Sequence, residues 1–425
     1  MSFTQGVSGL NAAASNLDVI GNNIANSGTV GYKAGSAQFA NVYAGSMTGL
    51  GTKVSGVFQD FTAGAIQRSN RPLDMAIVDG NGFFRMTNDS GEVRYTRNGQ
   101  FNVDKDQFIV NASGMQLTGY VAGAEGSLAA LKVEPTFVEP AATTKIEAQF
   151  NIDARSEVPA ATPFDPVNST TYNYSNSVSV FDSLGVSHEL SVFFAKTAPG
   201  TWDVYGTADG RPLDDAGKLT LEDTTSPATT PPTYLPATAL ATGPLVFDTS
   251  GKLVAPTAPA TDTLLSFTGL QFPNNSAPMT FDMTLTGSTQ FAADNEVRNM
   301  APDGNASGQL TTIEVAPDGY VTGKYTNQQS IELGRVVLTS FDNVNGLRNM
   351  GDNVWAESPT SGSPETSAPG MGKSRGSLLS GAVEGSNVDL TSELINLIIA
   401  QRTYQANTQT VKTQDQVVQA LINLR

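Results

Sequence analysis

Cysteine is absent from the 425 residues, and histidine occurs once, at position 188. The first absence excludes disulfides, thiolate metal sites and cysteine nucleophiles. The second leaves His188 without a second imidazole for a zinc site. Its place beside Glu189 on an expected strand marks it as a surface or half-buried residue. No Lys or Arg precedes Lys33, and the N-terminus lacks the basic region and continuous apolar core of a cleaved signal peptide. If the protein leaves the cell, it is expected to do so without one. No apolar run approaches the length needed to cross a bilayer. Charged side chains make up only 15% of the chain, and the balance is −16. Nucleic acid and anionic membranes call for basic patches, so neither is an expected partner.

Glycine (41) and proline (22) are plentiful, whereas hydrophobic content is only 39%. This profile suits β-structure with many turns, and the length suits two to four domains. The charge is uneven. Residues 1–32 hold one charged side chain, Asp18, and the last 38 are balanced, so the acidity belongs to the middle.

The two ends carry the strongest pattern. Phe3, Val7, Leu10, Ala14, Leu17 and Ile24 recur every three or four positions, broken only by Gly21. Leu390, Leu394, Leu397, Tyr404, Val411, Val418 and Ile422 keep one heptad phase, interrupted by Gln401, Thr408 and Asp415. Such stripes require burial against another helix. The flanking segments are poor in large apolar residues, so mutual pairing of the two helices, together with neighbouring subunits, is expected over packing on their own domain. The first helix is expected from Phe3 to Ala25, stopped by Asn26-Ser27-Gly28 in a left-handed cap. Asn387 or Asp389 is expected to cap the second.

Between the ends the reading is β. Residues 34–72 and 358–384 read as an extended connector with short strands. From Leu73 apolar alternation is punctuated by Asp79-Gly80-Asn81-Gly82, an Asn98-Gly99 hairpin signal, Asp104-Lys105-Asp106 and Ser113-Gly114. A similar turn style over 310–355 pairs 73–145 with 287–357 as one middle domain. Residues 146–286 form an inserted outer domain, with Val178 and Val180, then Leu190, Val192 and Phe194, on strand faces. The Pro-rich stretch 223–263 cannot sustain a central sheet. The expected fold is multidomain: paired, coiled-coil-like terminal helices, 1–33 and 385–425, and two nested mainly-β domains in a rod-shaped subunit.

Candidate chemistry is thin. Ser367-Ala-Pro-Gly-Met-Gly-Lys-Ser374 lacks the first glycine and the preceding strand of a phosphate-binding loop, so it reads as a connector. Asp104-Lys105-Asp106 could open a calcium loop, but Phe108, Ile109 and Met115 stand where ligands and a glycine belong, so a hairpin turn is expected. Trp202 and Trp355 read as core anchors. Neither a catalytic residue nor a cofactor or metal site is expected.

Two blocks carry a family resemblance. Residues 22–34, Asn-Asn-Ile-Ala-Asn-Ser-Gly-Thr-Val-Gly-Tyr-Lys-Ala, resemble the N-terminal signature of bacterial flagellar rod, hook and hook-associated axial proteins. Residues 381–425 begin Gly-Ala-Val-Glu-Gly-Ser-Asn-Val-Asp-Leu, pass through Ala-Gln-Arg-Thr-Tyr-Gln-Ala-Asn and end Ala-Leu-Ile-Asn-Leu-Arg. They resemble the C-terminal signature of the same group. Leu73–Met86 and the meander after it are similar to rod and hook members alike. Phe181–Phe194, the large insert around it and Gly351-Asp352-Asn353-Val354-Trp355 are similar to the hook branch.

The resemblance implies a structural subunit, not an enzyme, that passes through the flagellar type III export apparatus and self-assembles outside the cell. The tube would couple motor to filament as a flexible joint, with itself, the rod, the hook cap and the hook–filament junction proteins as partners. The polymerisation seam is then expected at Phe3, Val7, Leu10, Leu17, Ile24, Leu390, Leu394, Leu397, Tyr404, Val411, Val418 and Ile422. Asn22, Asn23, Asn26, Gly31, Tyr32 and Lys33 are expected to shape the turn out of the helix. A distal rod protein is the rival within the family, and a secreted acidic carbohydrate-active β-protein the rival outside it.

Overall fold

Two helices bracket the chain: α1, Phe3–Ala25, and α2, Leu390–Asn423. The computed structural model describes residues 3–42, 51–124, 126–214, 244–255, 264–370 and 375–423; of these, residues 3, 255, 264 and 421–423 are described in backbone only. Most of the Pro-rich stretch and residues 371–374 therefore lie outside the described residues. The chain divides into two compact units. One comprises 1–136, 310–324 and 330–425; the other comprises 137–309 and 325–329.

In the first unit the early and late parts of the chain run side by side. Strand 66–68 pairs antiparallel with 382–384, 75–78 with 377–380, and 83–84 with 338–339. Further along, 119–121 pairs with 334–336, and Tyr95 and Thr96 with Trp355 and Val354. This interleaving buries Met75, Phe84, Met86, Phe101, Leu117, Val336 and Leu338 in one core. Beside it Phe83, Tyr95, Phe341 and Trp355 pack edge to face, with Phe61 against Phe83 and Trp355. Trp355 is buried, and its indole Nε1 donates to Gln59 Oε1 at 2.7 Å.

Two expected turns form as hairpins. Asp104 Oδ1 accepts from the amides of Asp106 (2.9 Å) and Phe108 (2.8 Å), joining the paired strands 102–103 and 109–110. Gly114, at φ +77°, turns the chain into 116–121. Asn98-Gly99 does not form one: strand 93–96 pairs with 83–87 and 354–356, whereas 102–103 pairs with 109–110. Gly99 instead lets the backbone pass the carbonyl of Met75, where a Cβ would sit 1.6 Å from the oxygen.

The second unit is a sandwich of two sheets. Strands 174–181, 187–198, 201–208, 245–247 and 253–255 form one sheet. Strands 145–153, 264–270, 279–284, 289–291 and 296–302 form the other. Alternation puts Val180, Leu190, Val192, Phe194, Trp202 and Val204 on one inner face and Ile146, Phe150, Phe267, Phe281 and Met283 on the facing one. Trp202 is fully buried.

Candidate functional site

The helix pair and the turns at its root hold the residues with the most distinctive surroundings. Gly6 stands against Val411, Gly9 against Asn407, and Asn23 reaches Glu393, so α1 and α2 run antiparallel. A Cβ on Gly6 would lie 2.9 Å from Val411 Cγ2, and one on Gly9 2.8 Å from Asn407 Oδ1. The helices touch through small residues. Ala12, Ala13 and Ala400 are buried, as are Ile20 and Asn23.

The contact between the two helices thus runs mainly through other positions than the apolar stripes. Of the seam residues, Leu10, Leu17, Ile24, Leu397 and Val411 are half-buried, like Ala14, while Val7, Leu390, Leu394, Tyr404 and Val418 are exposed. The side chains of Phe3 and Ile422 lie outside the description. With Gly6 opposite Val411, the last two turns of α2 extend past the described start of α1, so Val418 has no described α1 residue facing it. Large side chains would hold the axes apart; glycine and alanine allow the close approach, and of the stripe Val7, Leu390, Leu394, Tyr404 and Val418 are left in water.

Packing on the chain's own domain, expected to fail, also occurs. Residues Gly35–Asn41 (β1) and Thr52–Gln59 (β2) form an antiparallel hairpin against α1. A Cβ on Gly35 would touch both Val19 of α1 and Val57 of β2, and Thr52 N donates to Ser8 Oγ at 3.3 Å.

At the root of the pair the signature residues converge. Asn23 Nδ2 donates to Gly35 O (2.8 Å) and Glu393 Oε1 (2.9 Å), and its Oδ1 accepts from Gly35 N (2.9 Å) and the Tyr32 hydroxyl (3.2 Å). Burial, and next the charge of Glu393, push the Tyr32 phenol up. Asn22 and Asn26 join side chain to side chain on the exposed surface at 2.8 Å. The helix stop differs from expectation: neither Asn26 nor Gly28 is left-handed. The positive φ falls at Gly31 (+71°), where a Cβ would meet Asn98 N at 2.7 Å. Asp389 caps α2, accepting from Thr391 N at 3.0 Å, while Asn387 accepts from Ala34 N and donates to Asp60 O, both at 2.8 Å.

Lys33 is fully buried. Its Nζ lies 2.6 Å from both Glu384 Oε1 and Thr62 O. Glu384 Oε1 also accepts from Gly64 N at 2.9 Å, and Oε2 accepts from Arg97 Nε at 2.9 Å. Arg97 Nη2 sits 2.8 Å from the same oxygen as an ion-pair contact out of line for a hydrogen bond, while Nη1 donates to the carbonyls of Gly80 and Gly82. Burial works against the carboxylate, but Arg97 and then Lys33 overcome it and hold Glu384 below the usual carboxylate range. For Lys33 burial wins over Glu384, and its amine is pushed down. Sequence reasoning found Lys33 but missed Glu384 and Arg97. A signal existed: Lys33 is the first cation, and Glu384 is the lone charge between 376 and 388.

Elsewhere, His188 corrects its expectation by being buried. Its ring stacks on Phe272, with Nδ1 2.6 Å from Asp209 Oδ2 and Nε2 3.4 Å from Asp182 Oδ2. Ser367 ends strand 365–367, and the rest of that motif falls partly on residues outside the description. Among the described residues no group of three or more His, Asp or Glu is placed to hold a metal, and no helix is long and apolar enough to cross a membrane.

The paired termini, with a signature at each, match known families. Residues 4–33 match the family "Flagella basal body rod protein", and 379–424 match "Flagellar basal body rod FlgEFG protein C-terminal". Residues 77–157 match "Flagellar hook protein FlgE/F/G D1 domain", and 151–305 match "Flagellar basal body protein FlaE D2 domain". The chain is 41% identical over 432 residues to the flagellar hook protein FlgE of Salmonella typhimurium, covering 100% of both. The chain belongs to the flagellar hook protein family. Hook proteins of Escherichia coli K12 (41% over 435 residues, 100% of both) and Treponema pallidum (29% over 471 residues, 100% of this chain and 99% of that one) are similar along their whole length. Among solved structures, the Helicobacter pylori flagellar hook protein FlgE2 aligns at TM-score 0.48 and 14% identity, over 70% of this chain and 95% of that one.

Proposed function

We propose that the chain is the structural subunit of the bacterial flagellar hook and self-assembles through its terminal helices into a flexible tube that transmits motor torque to the filament. The observation that carries the reading is the row Leu390, Leu394, Ile395, Ile398 and Ile399, exposed on a helix of a hook-family chain. Large aliphatic groups in a contiguous exposed row mark a surface that another molecule covers. Each of these side chains is already about half out of water, so covering the rest contributes about 0.8–1.5 kcal/mol to the contact.

On this reading Leu10, Leu17, Ile24, Leu390, Leu394, Leu397, Tyr404, Val411 and Val418, with Val7, are packing positions in the polymer, and the helices form a coiled-coil-like inner layer. Asn22, Asn23, Asn26, Gly31, Tyr32 and Lys33 fix the turn between helix and β-structure, and no bond is made or broken. The helices (1–33, 385–425) and connector (34–72, 358–384) lead to a middle and an outer β domain whose boundary falls near 137 and 309 rather than at 146 and 286, because strands 289–291 and 296–302 pair with 145–153. Partners are further copies, rod, cap and junction proteins and the type III export apparatus, and the place is the extracellular hook. The inserted D2-type unit favours hook over distal rod.

Electron micrographs of the purified protein before and after salting-out test the reading. Curved tubes are the expected outcome; soluble monomer or amorphous precipitate under every condition overturns it.

A further inference from the structure

Between α1, the β1–β2 hairpin and α2 lies an open groove of about 360 Å³. Ala12, Ala13 and Ala400 floor it, buried and small, and its lining carries no charged side chain. Phe39 of β1 and Ile399 of α2 stand on its rim with 44% and 57% of their surface in water. Among the described residues no side chain covers these two, and an uncharged recess with bare aromatic and aliphatic walls, lined also by Asn16, Thr52, Thr403 and Asn407, is a seat for largely apolar groups.

The same helix carries a fitting ridge elsewhere. Leu394 and Ile398 are one turn apart, 45% and 51% exposed. At 100° per residue they point roughly 120° and 160° away from Ala400, which faces α1. From Leu394 to Gln401 no residue is charged. A ridge on one side of α2 and a socket on another cannot satisfy each other within one copy.

We propose that the groove floored by Ala12, Ala13 and Ala400 is the socket for the Leu394–Ile398 ridge of a second copy of this chain. The proposal rests on the hook-subunit reading and names the contact that reading requires. Ridge and socket lie on different faces, so the contact is heterologous: each copy gives its ridge to one neighbour and takes the ridge of another. Contacts of that kind propagate into rings or helical polymers and do not stop at a two-fold dimer. Both sides are uncharged, the ridge aliphatic and the groove apolar at Ala12, Ala13, Ala400, Phe39 and Ile399 with Asn16, Thr52, Thr403 and Asn407 as its polar members, and the two apolar side chains left in water are those an inserted ridge would cover.

The cysteine-free chain allows a direct test. Leu394→Cys combined with Thr403→Cys, on the groove wall, puts two thiols on one helix about 13.5 Å apart along its axis. That exceeds disulfide reach, so any bond must join two copies. Mild oxidation of tubes assembled from the double variant should give a ladder of dimers, trimers and higher species on a non-reducing gel. Either single variant gives at most dimers. Tubes that form and yield no ladder overturn the socket while leaving the hook reading intact. If the wild-type chain forms no tubes at all, the hook reading fails and the socket with it. Should the double variant not assemble, Thr403→Trp decides. An indole there fills the groove from an exposed position, so a folded variant that still makes tubes at the wild-type concentration overturns the proposal, and at least a tenfold rise in that concentration supports it.

Discussion

Lys33 Nζ and Glu384 Oε1 meet at 2.6 Å across 351 residues of sequence, with both side chains out of water. The pair joins the first turn after α1 to the last strand before α2, and Arg97 completes it from the β-core. Two cations share one carboxylate, so the three members are unequal. Removing Glu384 leaves two buried cations; removing Lys33 leaves a neutral Arg97–Glu384 pair. Glu384→Ala should therefore destabilise the first unit by about 3–5 kcal/mol, and Lys33→Met by clearly less. Urea titrations followed by Trp355 fluorescence in a Trp202→Phe background measure both. Equal losses would show that the cluster does not act as two cations on one carboxylate.

Acid should act on the second unit through Asp182. Burial pushes that carboxyl up, but the Asn274 amide, the backbone amides of Val186 and Leu184 and the His188 ring overcome it and hold it down to about 2, against an ordinary 3.8. A depressed carboxyl contributes stability that is complete above the unfolded value and lost as pH falls through the folded one. Trp202 emission in a Trp355→Phe chain should report unit stability that is flat from pH 7 to about 4 and then falls toward pH 2. Asp182→Asn should lower the plateau and flatten that acid slope. An unchanged slope would place the acid sensitivity on another group.

The helices were legible because periodicity and polar caps are local signals. Phe3–Ala25 and the cap at Asp389 follow from stripe and residue type. The packed face was not legible, since Gly6, Gly9, Ala12, Ala13 and Ala400 add nothing to a hydrophobic stripe and act by being small. The Lys33–Glu384–Arg97 cluster was beyond local reading because its members meet only after the strands have paired. Asn98-Gly99 misled for a similar reason: a turn-forming dipeptide was used for close backbone passage past Met75. In the sandwich, alternation named the inner residues Leu190, Val192 and Phe194 correctly. It could not say that Asp182 and Asp209 would enclose His188, because both lie in turns.

Leu394→Asp should abolish tubes without unfolding the subunit. The side chain is 45% exposed in the isolated chain, and a surface change of this kind usually alters stability by no more than about 0.5 kcal/mol. In an assembled contact the carboxylate would lose its water without gaining a partner, at a cost of several kcal/mol. Circular dichroism and urea midpoints should match wild type while sedimentation shows no polymer. Normal tubes would place the contact on another surface of α2.

Excision of residues 137–309 should leave a first unit that folds and still assembles. Leu310 N donates to Thr136 O at 3.0 Å, so the two cut ends are already neighbours and a short Gly/Ser linker can rejoin them. Loop closure over so short a span costs little entropy. The excision also strips the partners of residues 325–329, including the buried Tyr325, so Tyr325→Ser belongs in the same chain to keep that turn soluble. The Lys33–Glu384–Arg97 cluster, the hairpin and both helices lie outside the cut, and so do Trp355 and its aromatic neighbours. Trp355 emission should therefore keep the blue-shifted position of a buried indole. The removed unit carries most of the chain's acidity, and its contacts with other copies should be polar and slidable, setting curvature and leaving cohesion to the base. Tubes of altered or lost curvature are the expected result in electron micrographs. A chain whose Trp355 stays buried but which forms no tube would show that the second unit supplies axial contacts that the terminal helices cannot replace.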